Sequence, residues 1–461
     1  MTRVESLPGW RPPLEVLPIF GDDPMVALLL SASAGRDDPE ISRWSILVAA
    51  PFEVIAWSES DGGDPLRRLV DAASRFACEP VPGLPFAGGA VGYVGYDVGR
   101  CIERIRSRGT PGLGLPDMQF GLYSWAILWD HLESRWSLVA TGLPEIGAAR
   151  AEKALRDLRW IRERLASGGR EARSIAGGRA SRCGRLDRIL SSSLTREGHI
   201  EMVRAAKDLI AEGQVYQVNL SQRLELPAPS SATRLCAEIA ARSPAPFVAY
   251  LEGGPFRILS ASPERFLRMR GDLAESRPIK GTRPRGSTPD EDLALARELA
   301  GSPKDRAENV MIVDLVRHDL GRVCATGSVE VAEMCRIESY ASVHHLTSIV
   351  RGRIDPRHDA ADLLQALFPG GSMTGAPKIR AMQAIEDLEP VRRGIYAGAL
   401  GYLSFCGSID LSMVIRTAIV AGGRTWLQVG GGIVADSDPE SEYQECLDKA
   451  RSVLDALEAA G

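Results

Sequence analysis

Residues 216–226 read YQVNLSQRLEL, and the reading of the whole chain turns on their alternation. Tyr216, Val218, Leu220, Leu224 and Leu226 share one parity, and Gln217, Asn219, Ser221 and Arg223 share the other. A period of two predicts a β-strand with the first set on one face and the second on the opposite face. A strand carrying such a polar row can line a pocket. Just upstream, Thr195 has the chemistry of a helix N-cap and Glu197 falls in the first turn. The helix predicted from there runs to about Glu212 and stops at Gly213. Mixed helices and strands continue downstream to a C-terminal helix predicted near 440–459.

Upstream, residues 1–140 read as short strands and loops. The clearest strands are in SRWSILVAAPFEVIAW (42–57) and SWAILWD (124–130). GLPFAGGAVGYVGYDVGR (83–100) is glycine-rich and aromatic, which suggests close backbone packing. Residues 145–168 predict a long Arg/Glu-laced helix, and GGREARSIAGGRASRCGRLDRILSSS (168–193) reads as a linker or loop. The order is that of an α+β chain and not of a βαβ series. It divides into a region 1–167, the linker 168–193 and a region 194–461.

At 461 residues and 44% hydrophobic, the chain can bury a sizeable core, which excludes the disordered and fibrous classes. Its 55 basic and 60 acidic residues leave a net charge of −5, so there is no overall footprint for nucleic acid. An anionic substrate would need a local site working against that charge. No apolar run approaches the ~20 residues of a membrane span. The opening MTRVESLPGWRPPL lacks the apolar core of a signal peptide, and the expectation is a cytosolic chain. Eight cysteines, at 78, 101, 183, 236, 324, 335, 406 and 446, form no CxxC pair and no GxCxG turn. Reduced, mostly buried thiols are expected.

Six of the 55 basic residues are lysines, leaving 49 arginines. In a chain that writes its cations as Arg, each Lys is informative, because Lys can lose its proton and act as a base or nucleophile. Lys280 stands in RPIKGTRPRG (277–286), between Pro278 and Gly281, where a tight turn is expected. Arg277, Arg283 and Arg285 flank it and would lower its pKa. A basic surface turn is the plain alternative.

Two acidic sets stand at helical spacing. In KDRAENVMIVDLVRHDLGR (304–322), Asp305 and Glu308 run into the apolar stripe of Ile312 and Leu315. Either they meet a cation or they serve the helix dipole. In DPESEYQECLDKA (438–450), Glu442 and Glu445 can offer oxygens to a hard cation, with Lys449 one turn on. A Glu445–Lys449 surface pair is the alternative. QVGGGIVADS (428–437) and SMTGAPKIRAM (372–382) offer backbone donors to an anion. Arg416 stands alone in the apolar run VIRTAIV (414–420), where it must be paired or bind an anionic ligand. His345 is a proton donor or orienter, or simply structural. Glu264, in SASPERF (260–266), is either a general acid or the partner of Arg265 or Arg268.

Together, SASPERF, PIKGTRPRG, SPKDRAENVMIVDLVRHDLGR, HHLTS, FPGGSMTGAPKIRAMQAIEDLEP, GIYAGALGY, IRTA and GGGIVADSDPESEYQEC resemble the motifs of the chorismate-utilising enzymes. They occur in that family's order over roughly 195–455, and GGAVGYVGYDVGR (88–100) is similar to the amidotransferase-linked members. The resemblance implies an α+β fold of two packed β-sheets flanked by helices, with the active site in a cleft between them. It makes 1–167 an N-terminal anthranilate synthase component I-like region and 194–461 the catalytic region. The lysine of PIKGT resembles members that aminate chorismate at C4, whereas members that make anthranilate usually carry a small residue there.

The resemblance also implies roles. Lys280 would attack C2 of chorismate, Glu264 would assist departure of the C4 hydroxyl, and His345 would support proton handling. Tyr396 and Arg416 would hold the enolpyruvyl carboxylate. Gly430, Gly432 and Lys449 would contact the ring carboxylate, and Gln217 and Ser372 complete the substrate-binding set. Gln217 replaces the lysine that activates water in isochorismate and salicylate synthases, which argues for ammonia. Mg²⁺ would be held chiefly by Glu308 and Glu445, with Asp305 and Glu442 in or near its shell. Ammonia would come from a glutamine amidotransferase partner, since no GxCxG nucleophile turn is present. The product would be 4-amino-4-deoxychorismate, on the way to para-aminobenzoate and folate; the alternative is anthranilate plus pyruvate. Departures from the family pattern are His318 in RHDLGR, Cys406 and Ser408 in GYLSFCGSIDLS, and the loose match of LLLSASAG (28–35) to the tryptophan-holding segment of relatives.

Overall fold

The computed structural model describes residues 2–32, 39–168 and 188–460. Most of the expected linker 168–193, Cys183 with it, lies outside the described residues. The predicted strand is observed as Gln217–Pro227, and the helix before it as Arg196–Ala211. Thr195 caps that helix by accepting the Gly198 N–H at 3.1 Å. Tyr216 departs from the predicted apolar face: it precedes the strand and is 71% exposed. The upstream helix spans Gly147–Ser167, and the C-terminal helix Pro439–Ala460.

Among the described residues the strands form two antiparallel sheets, of twelve and ten strands. In the first, Gln217–Pro227 pairs with Arg424–Ile433, which sets Asn219 opposite Gly432 and Ser221 opposite Gly430. Phe256–Ser262 and Thr417–Ala421 continue that sheet. In the second, Arg265–Arg270 pairs with Ile409–Met413 and with Leu273–Arg277, and Ile279–Pro284 pairs with Val343–Arg353.

The sheets pack face to face. Val48 and Ile258 from the first meet Val91 and Leu400 from the second in one apolar layer. Helices cover the outer faces: Leu158, Leu235 and Leu454 pack on one sheet, and Leu66, Ile312 and Leu364 on the other. Alternation survives within the buried strand Ala399–Ser404. Leu400 and Tyr402 enter the layer between the sheets, while Ala399 and Leu403 join the outer core. Both faces are covered, so such strands read as nearly unbroken apolar runs.

The region 42–57 holds two strands, Trp44–Val48 and Glu53–Trp57, and they belong to different sheets. The chain passes between the layers again at Ser124, at Pro263–Glu264 and at Val414–Arg416. The last two corners are tied together: the Met413 N–H donates to the Glu264 carbonyl (3.0 Å) and the Ala261 N–H to the Arg416 carbonyl (3.1 Å). Both sheets draw strands from 1–167 and from 194–461, so that division runs along the sequence and not through space.

Candidate active site

Lys280 lies in the strand Ile279–Pro284 and not in a tight turn. The register of that strand slips between Ile279 and Thr282, and Gly281 takes up the slip with φ +83°. The amine donates to the Ser372 carbonyl at 3.4 Å. Its pKa is lowered, chiefly by burial; Glu308 and Glu264 oppose the shift and Lys449 adds to it. The flanking arginines are not the cause. Arg277 binds Glu275, Arg283 binds Glu298 and Asp305, and Arg285 binds Asp292.

Glu264 sits on the corner where the chain leaves the first sheet for the second. Its carboxyl is buried, which raises its pKa to about 7; Ser372, Lys280 and the Ile279 N–H temper the rise. It pairs with neither neighbouring arginine, because Arg265 goes to Asp410 and Glu275, and Arg268 to Glu275. Ser372 therefore stands between the carboxyl and the amine, its hydroxyl on Glu264 and its carbonyl on Lys280.

Arg416 occupies the facing corner, just before the strand Thr417–Ala421 and outside it. Its φ of +50° places it in the left-handed region, unfavourable for a non-glycine residue. Among the described residues it has no ion-pair partner, and burial depresses its pKa. A guanidinium held this way is suited to an anionic ligand.

The polar row of Gln217–Pro227 enters the same space. Gln217 is fully buried, and neither its amide oxygen nor its amide nitrogen has a hydrogen-bond partner. A Cβ on Gly432 would lie 2.1 Å from Gln217 Nε2 and 3.3 Å from Lys280 Nζ. Glycine at 432 is thus what lets both side chains reach the cleft. Asn219 stands beside the Tyr396 hydroxyl, and burial raises the pKa of that phenol. At the neighbouring Gly431 a Cβ would lie 3.1 Å from Glu442 Oε2 and 3.8 Å from Glu445 Oε1. Lys449 donates to the Gly430 carbonyl at 2.8 Å and pairs with Glu445 at 2.6 Å.

Glu308, on the helix Pro303–Gly321, completes the acidic group. Burial raises the pKa of Glu308 and of Glu442, and the charge of Glu445 pushes both further up. Burial also opposes ionisation of Glu445, but Lys449, Lys304 and Lys280 outweigh it and its pKa is lowered. Asp305 stands apart: its carboxylate accepts from Arg283 at 3.2 Å. Among the described residues no three acidic, His or Cys side chains form a ready-made metal cluster. What Glu308, Glu442 and Glu445 form instead is a set of mutually repelling carboxylates, running from buried Glu442 to exposed Glu445 and tempered by three lysines. That donor chemistry fits a hard divalent cation.

His345 is buried beside Thr282, with its Nδ1 2.9 Å from the Thr282 hydroxyl. Burial and the charge of Arg416 lower its pKa to about 3, so the ring is neutral and its Nε2 has no partner. Lys378, also singled out by its rarity, has a structural partner in Asp319 at 2.6 Å. Sequence reasoning missed the buried Glu389–Arg393 pair. Arg393 donates to the Met373 and Asn219 carbonyls, which fixes the polar strand against the segment carrying Ser372. Its i,i+4 spacing was the available signal, but a surface pair looks the same in sequence. Leu29, Leu30 and Ser31 line a separate cavity of about 70 Å³ with Pro246, Tyr402 and Asp410. Residues 33–35 of that segment lie outside the described residues.

The cleft thus joins an amine of lowered pKa, a carboxyl titrating near neutrality, an unpaired guanidinium and an acidic group. A family model described as chorismate binding enzyme matches residues 31–455. The chain belongs to that family of enzymes. Aminodeoxychorismate synthase component 1 of Klebsiella aerogenes is 42% identical over 381 residues, 83% of this chain and 80% of that one. Anthranilate synthase component 1 of Thermus thermophilus is also 42% identical, over 399 residues, 86% of this chain and 83% of that one. The crystal structure of anthranilate synthase component I from Streptococcus pneumoniae matches with a TM-score of 0.78 at 33% identity, covering 89% of this chain and 92% of that one. Equal identity to two differently named relatives leaves the choice between them to individual side chains in the cleft.

Proposed function

We propose that this chain aminates chorismate at C4 with ammonia, giving 4-amino-4-deoxychorismate, the precursor of para-aminobenzoate. The observation that carries this reading is Lys280, an amine of lowered pKa joined through Ser372 to the Glu264 carboxyl. In the neutral form Lys280 attacks C2 of the ring. Both ring double bonds shift, from C1=C2 and C5=C6 to C1=C6 and C4=C5, and the C4 hydroxyl leaves as water with the proton of Glu264. Ammonia then adds at C4, both double bonds shift back and the C2–N bond to Lys280 breaks. Ammonia gives up one proton, and Glu264 regains its own.

Chorismate is a dianion. Arg416 and Tyr396 hold the enolpyruvyl carboxylate, and the backbone at Gly430 and Gly432 with Lys449 faces the ring carboxylate. Glu308 and Glu445 would hold Mg²⁺, with Glu442 beside them; the ion would neutralise and polarise the ring carboxylate. Asp305, bound to Arg283, is the weakest candidate for that shell. Gln217 cannot act as the base that water would need, which supports ammonia as the nucleophile. The chain has no GxCxG turn, so a glutamine amidotransferase subunit supplies the ammonia, in the cytosol. Anthranilate formation is the second reading, favoured by the equal identity to the Thermus enzyme.

The deciding experiment incubates the purified chain with chorismate, Mg²⁺ and ammonium and identifies products by mass spectrometry. Aminodeoxychorismate from the wild type, reduced by ~10² or more in Lys280→Ala, is expected. Anthranilate and pyruvate in its place would move the enzyme to the second reading.

A further inference from the structure

Seven of the eight cysteines fall among the described residues, all of them as free thiols. Cys236, Cys324, Cys335 and Cys446 are buried and Cys101 is exposed, while Cys78 and Cys406 lie between these extremes. More than three hundred residues of chain separate this last pair, and the fold brings them together. Cys78 follows the helix Pro65–Ser74 and opens the connection to the strand Gly89–Val94. Both ends of that connection bind one residue. The Cys78 N–H donates to the Phe405 carbonyl at 3.0 Å, and the Phe405 N–H donates to the Gly88 carbonyl at 3.0 Å. The rings of Phe76 and Phe405 close over the same join, with centroids 5.7 Å apart. Cys406 comes next in the chain, in the turn between the strands Ala399–Ser404 and Ile409–Met413. A carbonyl bonded to one residue's N–H lies beside the Cα of the residue that follows it, so the Cα atoms of Cys78 and Cys406 stand roughly 5–6 Å apart, inside the span of a disulfide. Cys406 Sγ lies 3.2 Å from Ser404 Oγ and 3.7 Å from Ser408 Oγ, weak thiol contacts that cost little to give up. Burial raises the pKa of Cys78, and the charge of Cys406 raises it further, so the two sulfurs are in electrostatic range of each other.

We propose that Cys78 and Cys406 are a redox-active pair, which hydrogen peroxide closes to a disulfide and a dithiol reopens. A thiolate of the pair attacks the peroxide: an S–O bond forms, the O–O bond breaks, and the departing hydroxide takes up the thiol's proton as water. The second thiol then displaces the sulfenic oxygen, which leaves as a second water with that thiol's proton, and the S–S bond forms. Each sulfur is oxidised by one electron and each peroxide oxygen is reduced by one. In a reducing compartment the pair is open at rest and closes under oxidant. Closure ties the N-terminal part of the chain to the C-terminal part at the end of a ladder they already share, where Gly89 stands opposite Ser404. A link across so long a stretch of chain strongly restricts the unfolded state. It lies at the opposite end of Ile409–Met413 from the Met413 N–H that holds the Glu264 corner, so the cleft keeps its shape. The inference does not depend on which product the cleft makes.

The test treats the purified full chain with hydrogen peroxide, blocks the remaining thiols with iodoacetamide and maps its peptides by mass spectrometry without reductant. The expected result is a linked pair of peptides carrying Cys78 and Cys406, lighter than their sum by two hydrogens and separated again by dithiothreitol. Cys78→Ser and Cys406→Ser should each abolish it. The oxidised wild type should also melt a few degrees above the reduced chain, a gain that neither serine variant shows. The mapping is read on the wild type, so a serine variant that fails to fold leaves its result standing. Alkylation of both Cys78 and Cys406 after a treatment that oxidises exposed Cys101 overturns the pair. So does Cys406 sulfinic acid beside an alkylated Cys78, or a disulfide from either one to another cysteine. A Cys78–Cys406 link that leaves Tm unmoved overturns the stabilising tie.

Discussion

Glu264 turns a buried corner into a pH sensor. Its pKa, raised to about 7 by burial, leaves a large protonated fraction at neutral pH. If that proton leaves with the C4 hydroxyl, kcat/KM falls as pH rises through about 7. Glu264→Gln should erase that limb and cost ~10²–10⁴ in rate, read from a pH–rate profile. Stability carries the same sign. The folded chain holds this proton more tightly than the unfolded one, whose carboxyl has an ordinary value of 4.5. Rising pH between these two values therefore weakens the fold, and the glutamine variant should show a flatter dependence of Tm on pH. Gly432 makes a second residue-scale prediction. Its Cβ would fall 2.1 Å from Gln217 Nε2 and 3.3 Å from Lys280 Nζ, so Gly432→Ala must displace the amide and crowd the amine. A loss of kcat/KM of about ten-fold or more, with Tm moved by only a few degrees, is expected.

Among the elements, the polar strand Gln217–Pro227 depends on Arg393. This guanidinium binds Glu389 and the carbonyls of Met373 and Asn219, so it joins three segments in the interior. Arg393→Met would strand the Glu389 charge and should cost about 3–5 kcal/mol in urea unfolding. Adding Glu389→Leu should recover much of that loss, because the uncompensated charge goes with it. The strand itself was legible from its period of two, and the helices from Thr195 and from the Arg/Glu pattern of 145–168, observed as Gly147–Ser167. Lys280 and Arg416 stood out as rare or isolated charges. Their true settings did not: one rests on a bulged strand, the other on a corner in the left-handed region. Those settings depend on pairing with strands tens to more than a hundred residues away, which local pattern does not encode. Tyr216 misled for the opposite reason, since it continues the alternation by one residue past the strand's end.

At the scale of the molecule, the two sheets are built jointly by both ends of the chain. Ala27–Leu30 pairs with Phe247–Glu252, and Gly89–Val94 with Ala399–Ser404. Residues 194–461 expressed alone would expose long apolar edges and the layer between the sheets. Such a fragment is expected to aggregate or to lack near-ultraviolet circular dichroism, whereas the whole chain unfolds cooperatively. The corners at Pro263–Glu264 and Val414–Arg416 carry a different consequence. Each is two or three residues long, and each is stitched to the other by backbone hydrogen bonds. An extra residue there has no slack to occupy; it must slip a strand by one position and turn its side chains over. The spacing of carboxyl and guanidinium is therefore kept by counting residues, like teeth on a gear. A single alanine inserted between Pro263 and Glu264 should abolish activity. The same insertion at the hairpin tip beside exposed Leu132 should pass almost unnoticed.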